Sequence, residues 1–225
     1  MEFDLQIVNR HFPSLSESQR RQLNQFSELI AEWNEKVNLV SRNDVQNLPI
    51  RHILHSLAIA KTVDFQPGTR ILDVGTGGGF PGIPLAILYP ECQFQLIDSI
   101  GKKIRAVANC IESLGLKNAN ARQIRASAVE EAFDFVVARA VTQLPKFIQW
   151  VRGSIRHPSF NPLENGVLYL KGGDLAEEFA DLIEKPTLYP IINYFNYPEF
   201  DRKFVVHVPL PEKRCSELKN RAHQN

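Results

Sequence analysis

The stretch Arg70-Ile-Leu-Asp-Val-Gly-Thr-Gly-Gly-Gly-Phe-Pro-Gly-Ile-Pro-Leu85 decides how this chain is read. A short apolar run, Arg70 to Val74, stops at glycines, and an apolar helical pattern, Ile83 to Leu88, begins just beyond them. That order, strand to glycine turn to helix, marks the crevice at which open α/β sheets bind ligands. Glycines allow the backbone to turn tightly and to approach a ligand that a Cβ would obstruct.

The same alternation continues outward. Gln93 to Ile97, Phe133 to Ala138 and Gly166 to Leu170 read as strands, with Asn120 to Ile124 a weaker one. Between them, Ile104 to Leu114 reads as a helix ending at Gly115, and Leu144 to Val151 and Leu175 to Ile183 as two more. Strands alternating with helices imply βαβ units and a mainly parallel sheet. Leu188 to Phe195 and Phe204 to Leu210 look like an antiparallel strand pair completing it. Arg156 to Asn165, with two prolines, is the expected mobile loop.

Upstream the period is helical. Ser14 or Ser16 can cap a helix whose stripe is Leu23, Phe26, Ile30, Trp33 and Val37. Pro49 opens another, with Ile50, Ile53, Leu54, Leu57 and Ala58 on one face. The expected organisation is a helical appendage over residues 1–65 and an α/β domain over 66–225.

Composition narrows the class. The 225 residues are 44% apolar, and 26 Lys+Arg balance 25 Asp+Glu, which excludes a disordered chain or a strongly basic tail. The three cysteines, Cys92, Cys110 and Cys215, form neither a disulfide framework nor a metal motif, so no metal is expected. No apolar stretch approaches the roughly 18–20 residues of a membrane span, and the acidic start lacks an export-signal pattern. A cytoplasmic, monomeric protein without a membrane partner is the expectation.

Two cofactors compete for the glycine loop. Gly77-x-Gly79-x-x-Gly82 fits a dinucleotide fingerprint, which alone is weak. Asp73-x-Gly75-x-Gly77-x-Gly79 fits the loop that wraps the amino-acid end of S-adenosylmethionine. Asp98, at the end of the second strand, can accept ribose hydroxyls in either reading. No Tyr/Lys or His/Asp set for hydride transfer follows residue 140, and the terminal strand pair suits a methyltransferase sheet. Methyl transfer is the better reading, ahead of a dinucleotide-dependent oxidoreductase or a catalytically silent RNA-binding module.

At finer grain the chain resembles the RsmG (GidB) family of bacterial 16S ribosomal RNA guanine-N7 methyltransferases. The resemblance is carried by Trp33-Asn34, Arg51-His-Ile-Leu54, the segment Asp73 to Leu85, Leu96-Ile-Asp-Ser99, Lys102-Lys103, Ser113 to Leu116, Arg139-Ala-Val141 and Leu170-Lys-Gly172. It implies a class I, Rossmann-like methyltransferase fold using S-adenosylmethionine on 16S ribosomal RNA or the small ribosomal subunit; another RNA or a small molecule is the alternative substrate. It places Gly75 and Phe80 in the cofactor loop, Asp98 at the ribose, and Arg139 as the candidate catalytic residue, able to organise the cofactor's carboxylate or to hold an RNA phosphate. A further cofactor-touching pair falls in one of two registers, Ala126-Ser127 or Val129-Glu130; the first is preferred because it stays near the strand end. His55 departs from the family, which commonly has Asp before Ser-Leu.

Guanine N7 carries an exposed lone pair, so it needs no general base, and the absence of a Ser/His/Asp set is no objection. RNA contacts are expected from Lys171, at the fourth strand's end, and from the basic runs containing Lys102 and Lys103 and spanning residues 201–225. His52 and Trp33 read as packing between the helices and the sheet.

Overall fold

The computed structural model describes residues 3–180 and 182–212. Lys213, Arg214, Cys215, Lys219 and Arg221 lie outside them, so the basic tail is described only as far as Arg202 and Lys203.

The strands are β1 (Arg70–Val74), β2 (Gln93–Asp98), β3 (Ala119–Gln123), β4 (Phe135–Arg139), β5 (Gly166–Gly172), β6 (Thr187–Pro190) and β7 (Lys203–Pro209). They form one sheet in the order β3-β2-β1-β4-β5-β7-β6. The first five are parallel. β7 inserts antiparallel between β5 and β6, with Leu170 opposite Val205 and Lys171 opposite Phe204. The order reverses between β1 and β4, and that switch opens a crevice at the C-terminal strand ends.

The helices are α1 (Gln6–His11), α2 (Glu17–Asn34), α3 (His55–Leu57), α4 (Gly82–Leu88), α5 (Gly101–Ser113), α6 (Leu144–Val151) and α7 (Ala176–Ala180). Ser16 is the cap of α2, closed by a reciprocal box with Gln19 and worth about 1 kcal/mol. The Gln19 amide then reaches the carbonyls of Ile87 and Leu88, tying α2 to the end of α4. α5 ends as the glycine signals: the amide of Gly115 (φ +66°) bonds the Glu112 carbonyl and that of Leu116 bonds Ile111.

Several expected boundaries shift. The Pro49 helix is a π-helical stretch, Leu48–Leu54, running through α3 into a 3-10 turn, Ala58–Lys61. The sixth strand stops at Pro190 because Ile191–Asn193 turns as a 3-10 helix that buries Ile191. β5 runs two residues further than read, to Gly172, because β7 pairs with it along its whole length. The loop 156–165 is tied down through Asn165 to Asp134 and the Arg156 carbonyl, and through Asn161 to Gln66 and Thr69.

One apolar cluster extends from Val8, Leu23, Phe26 and Ile30 through Ile53, Leu54 and Leu57 to Ile83, Leu96 and Phe135. The N-terminal helices therefore pack on the sheet through a core continuous across residue 65, where each fully buried side chain stabilises by roughly 1.5–3 kcal/mol. A second cluster, with Phe147 and Tyr169, fills the other face under α6.

Candidate active site

The glycine loop is closed from below by Asp73, which is fully buried. Its Oδ2 accepts from the Thr76 hydroxyl at 2.6 Å and from the Gly82 amide at 2.8 Å. Gly82 must be glycine, because a Cβ there would sit 2.6 Å from that same oxygen. Asp73 Oδ1 has no partner among the described residues. Burial raises the carboxyl to about 7, against the two hydrogen bonds and the Arg139 charge, which lower it.

A cleft of about 520 Å³ opens beside the loop at the ends of β1, β2 and β4. Gly75 and Asp98 line one side, Ala126 and Ser127 another, and Ile97, Val141 and Trp150 give it apolar walls. Gly75 has φ +67°, and a Cβ on it would lie 2.7 Å from a Val141 methyl. Asp98 is set by two amides: Oδ2 accepts from Gly77 at 3.1 Å and Oδ1 from Ile100 at 2.9 Å.

A second cleft of about 480 Å³ adjoins the first, and Ala140 lines both. Arg51, Arg139, Lys171 and Lys203 bring positive charge to it; Asp44 and Glu199 bring negative; His52 and His55 lie at its wall. Arg139 Nη2 is 2.8 Å from His52 Nδ1, and its guanidinium lies 5.1 Å from the Phe80 ring centroid. Burial lowers Arg139 to about 10, opposed by the charges of Asp73 and Asp44, so it stays protonated near neutrality. Between the clefts, the fully buried Tyr169 holds the segment after β4. Its phenol oxygen accepts from the amides of Val141 and Thr142, each at 2.8 Å, and donates to the Thr142 carbonyl at 2.9 Å.

The expected site residues thus separate. Gly75, Asp98, Ala126 and Ser127 share the first cleft, whereas Val129 and Glu130 do not line it. Gly77 and Gly79 shape the loop behind that cleft, both at positive φ. Asp73 and Phe80, expected against the cofactor, line neither cleft: Asp73 knits the loop, and Phe80 packs against Phe26, His52 and Arg139. Arg139 and Lys171 stand in the second cleft, where Lys171 lies inside β5 and pairs with Glu178. Lys103, expected toward RNA, lines the first cleft; Lys102 lies in a depression with Glu28, Glu32 and Glu35.

Sequence reading missed Tyr169, Glu199 and Trp150; Lys203, part of the basic run 201–225, reaches the second cleft on β7 beside Glu199, and Trp150 of α6 lines the first. Trp33 bonds Asn109 of α5 at 2.8 Å and serves packing as expected. Among the described residues no group of three His, Cys, Asp or Glu is arranged to hold a metal ion, and no helix is long and apolar enough to cross a membrane.

The strand order with an inserted antiparallel β7, and the acid-closed glycine loop at the switch point, define a class I methyltransferase. The solved structure of a SAM-dependent methyltransferase from Aquifex aeolicus shares the fold, with a TM-score of 0.53 at 15% identity, over 69% of this chain and 89% of that one. Residues 19–200 match the family model for rRNA small subunit methyltransferase G (GidB). The chain is 50% identical to Ribosomal RNA small subunit methyltransferase G of Flavobacterium johnsoniae, over 92% of this chain and 98% of the relative. It is 51% identical to the protein of that name from Cytophaga hutchinsonii, over 91% and 99%. This chain belongs to the rRNA small subunit methyltransferase G family.

Proposed function

We propose that this chain transfers a methyl group from S-adenosylmethionine to N7 of a guanine in 16S ribosomal RNA, in the cytoplasm. The observation carrying the reading is the pair of adjoining clefts, one shaped for a nucleoside and one lined with cations, meeting at Ala140.

The residues of the first cleft fit S-adenosylmethionine. Asp98 is acceptor-only when ionised, and its remaining lone pairs suit ribose hydroxyls. Ile97, Val141 and Trp150 suit the faces of an adenine, and Ala126-Ser127 borders its edge. When bound, the cofactor supplies a sulfonium-activated methyl group. The N7 lone pair would accept that methyl group without a general base, the displaced sulfur keeping the electron pair.

The protein's own contribution is placement. The loop under Gly75 is made rigid by Asp73, and Tyr169 fixes the backbone wall dividing the two clefts, which keeps donor and acceptor in line. Arg139 and Lys203 present positive charge to the RNA side, so binding weakens as salt rises.

Thermal-shift titrations with S-adenosylmethionine and with NAD(H) test the cofactor, stabilisation by NAD(H) alone overturning the reading. Methyl incorporation into free 16S RNA, assembled small subunits and total tRNA tests the substrate; labelling of tRNA alone would reject it.

A further inference from the structure

Most charged side chains of the second cleft are already satisfied within the protein. Asp44 accepts from Arg51 at Oδ1 (2.8 Å) and from the Ser41 hydroxyl at Oδ2 (2.7 Å). Lys171 is paired with Glu178, a residue outside the cleft lining. What remains is distinctive. Glu199, on the 3-10 turn Pro198–Phe200, has no ion-pair or hydrogen-bond partner among the described residues, and neither does the Lys203 amine beyond its place 6.0 Å from the Phe200 ring centroid. Arg139 keeps donors beyond those it gives His52 and the Arg51 carbonyl.

Glu199 and the Lys203 amine are thus without partners among the described residues, Arg139 and Arg51 keep spare donors, and the buried His55 Nε2 is unpartnered in the same chamber, which adjoins the first cleft. A guanine offers two adjacent donors, N1–H and the N2 amine, followed by the O6 acceptor. Adenine offers a lone pair at N1 and lacks the N2 amine, so it would set an acceptor against the carboxylate. We infer that Glu199 selects guanine by accepting from N1–H and the N2 amine, while Arg139 and Lys203 supply donors to O6; this rests on the reading of the chain as a guanine-N7 methyltransferase.

The assignment has a consequence for rate as well as selection. As N7 takes the methyl group the purine becomes cationic and its N1–H more acidic. The bond from N1–H to a carboxylate strengthens as the transition state is approached, and only interactions that strengthen in this way accelerate the step. Asp44 already accepts from Arg51 and Ser41, which leaves Glu199, with no bond to any described residue, the freer of the two carboxylates.

The test uses small subunits reconstituted on 16S RNA ligated to carry either guanine or inosine at the methylated position, once that position is mapped by mass spectrometry. Inosine keeps N1–H, O6 and N7 and lacks only the N2 amine. For the natural chain, inosine is expected to lower kcat/KM about 10- to 100-fold, the loss of one charge-assisted hydrogen bond. In Glu199→Gln the guanine rate falls, mostly in kcat, and the guanine-to-inosine ratio shrinks to within about threefold, because a neutral amide accepts more weakly. S-adenosylmethionine affinity, read by calorimetry, stays within twofold in the variant and certifies an intact fold. An unchanged ratio in Glu199→Gln, or a natural chain indifferent to inosine, overturns the assignment. A natural chain that labels no guanine in either the unmodified particle or free 16S RNA overturns the underlying functional reading instead.

Discussion

His52 Nδ1 accepts a hydrogen bond from Arg139 Nη2 at 2.8 Å, joining the N-terminal helical segment to the end of β4. A guanidinium can only donate, so the imidazole is neutral and carries its proton on Nε2. Its environment agrees: burial first, then the charge of Arg139, pushes His52 down to about 3. The ring also lies 5.1 Å from Phe80, so one histidine orients the arginine and covers the residue following the glycine loop.

His52→Phe keeps the packing against Phe80 and deletes the acceptor. Arg139 is then partly buried with a donor unmatched, costing roughly 1–3 kcal/mol. Urea denaturation should show that loss, and kcat/KM on RNA should fall about tenfold or more while cofactor affinity changes little. A variant whose cofactor affinity alone collapses would place Arg139 in the wrong cleft.

The glycine loop makes a discriminating prediction at Gly77. A Cβ there meets nothing nearer than the Gly75 carbonyl oxygen at 3.9 Å, so side-chain volume is tolerated and only the positive φ is strained, by about 1–2 kcal/mol. Gly77→Asp should therefore fold, yet it brings a second carboxylate beside Asp98, whose Oδ2 the Gly77 amide holds. Calorimetry should find S-adenosylmethionine binding reduced beyond detection, with Gly77→Ala retaining most of it.

Tyr169→Phe leaves two amides and a carbonyl after β4 without their shared partner. The expected cost is about 2–4 kcal/mol in stability, two or three lost bonds at ordinary values. The KM for S-adenosylmethionine should also rise, because Val141 of that segment walls the first cleft, the proposed cofactor site. Steady-state kinetics that moved only the RNA parameters would contradict this.

Stability should depend on pH in a definite direction. His52, His55 and His207 are all held below 6.5, with burial the first cause for each. Below that value the unfolded chain takes up protons these side chains refuse when folded, so stability is complete above about pH 6.5 and falls with acidification. Asp73 acts oppositely: held up at about 7, it favours the folded state below the usual carboxylate range and loses that advantage as pH rises from about 4 to 7. His11 is lowered as well, so four histidines act against one carboxyl, and urea midpoints should drop between pH 6.5 and 4.5. His52→Phe should flatten the slope and Asp73→Asn should steepen it.

Much of this arrangement is legible in the chain itself. β1 and α6 fall at the residues their patterns mark, and Ser16 caps α2, because local chemistry alone sets them. The first cleft is legible for the same reason, since Asp98 ends β2 and Ala126 follows shortly after β3 along the sequence. Lys102 and Lys103 are not separable by composition; neighbours on a helix point about 100° apart, so one faces the cleft and the other the acids of α2. Asp73 and Phe80 look like contacts because they flank the glycines, and only packing shows them turned inward. The second cleft is least legible, since Glu199 and Lys203 come to share it with Arg139 through the pairing of β5 with β7, from positions 60 and 64 residues further along the chain.

Ala140, with φ +53°, borders both chambers, so at that point their partition is one small residue thick. An inhibitor joining an adenosine fragment to a purine would need only a short tether to occupy both rooms at once. Enlarging that alanine would narrow the passage such a tether must cross, giving a simple genetic control for whether the compound works by spanning it.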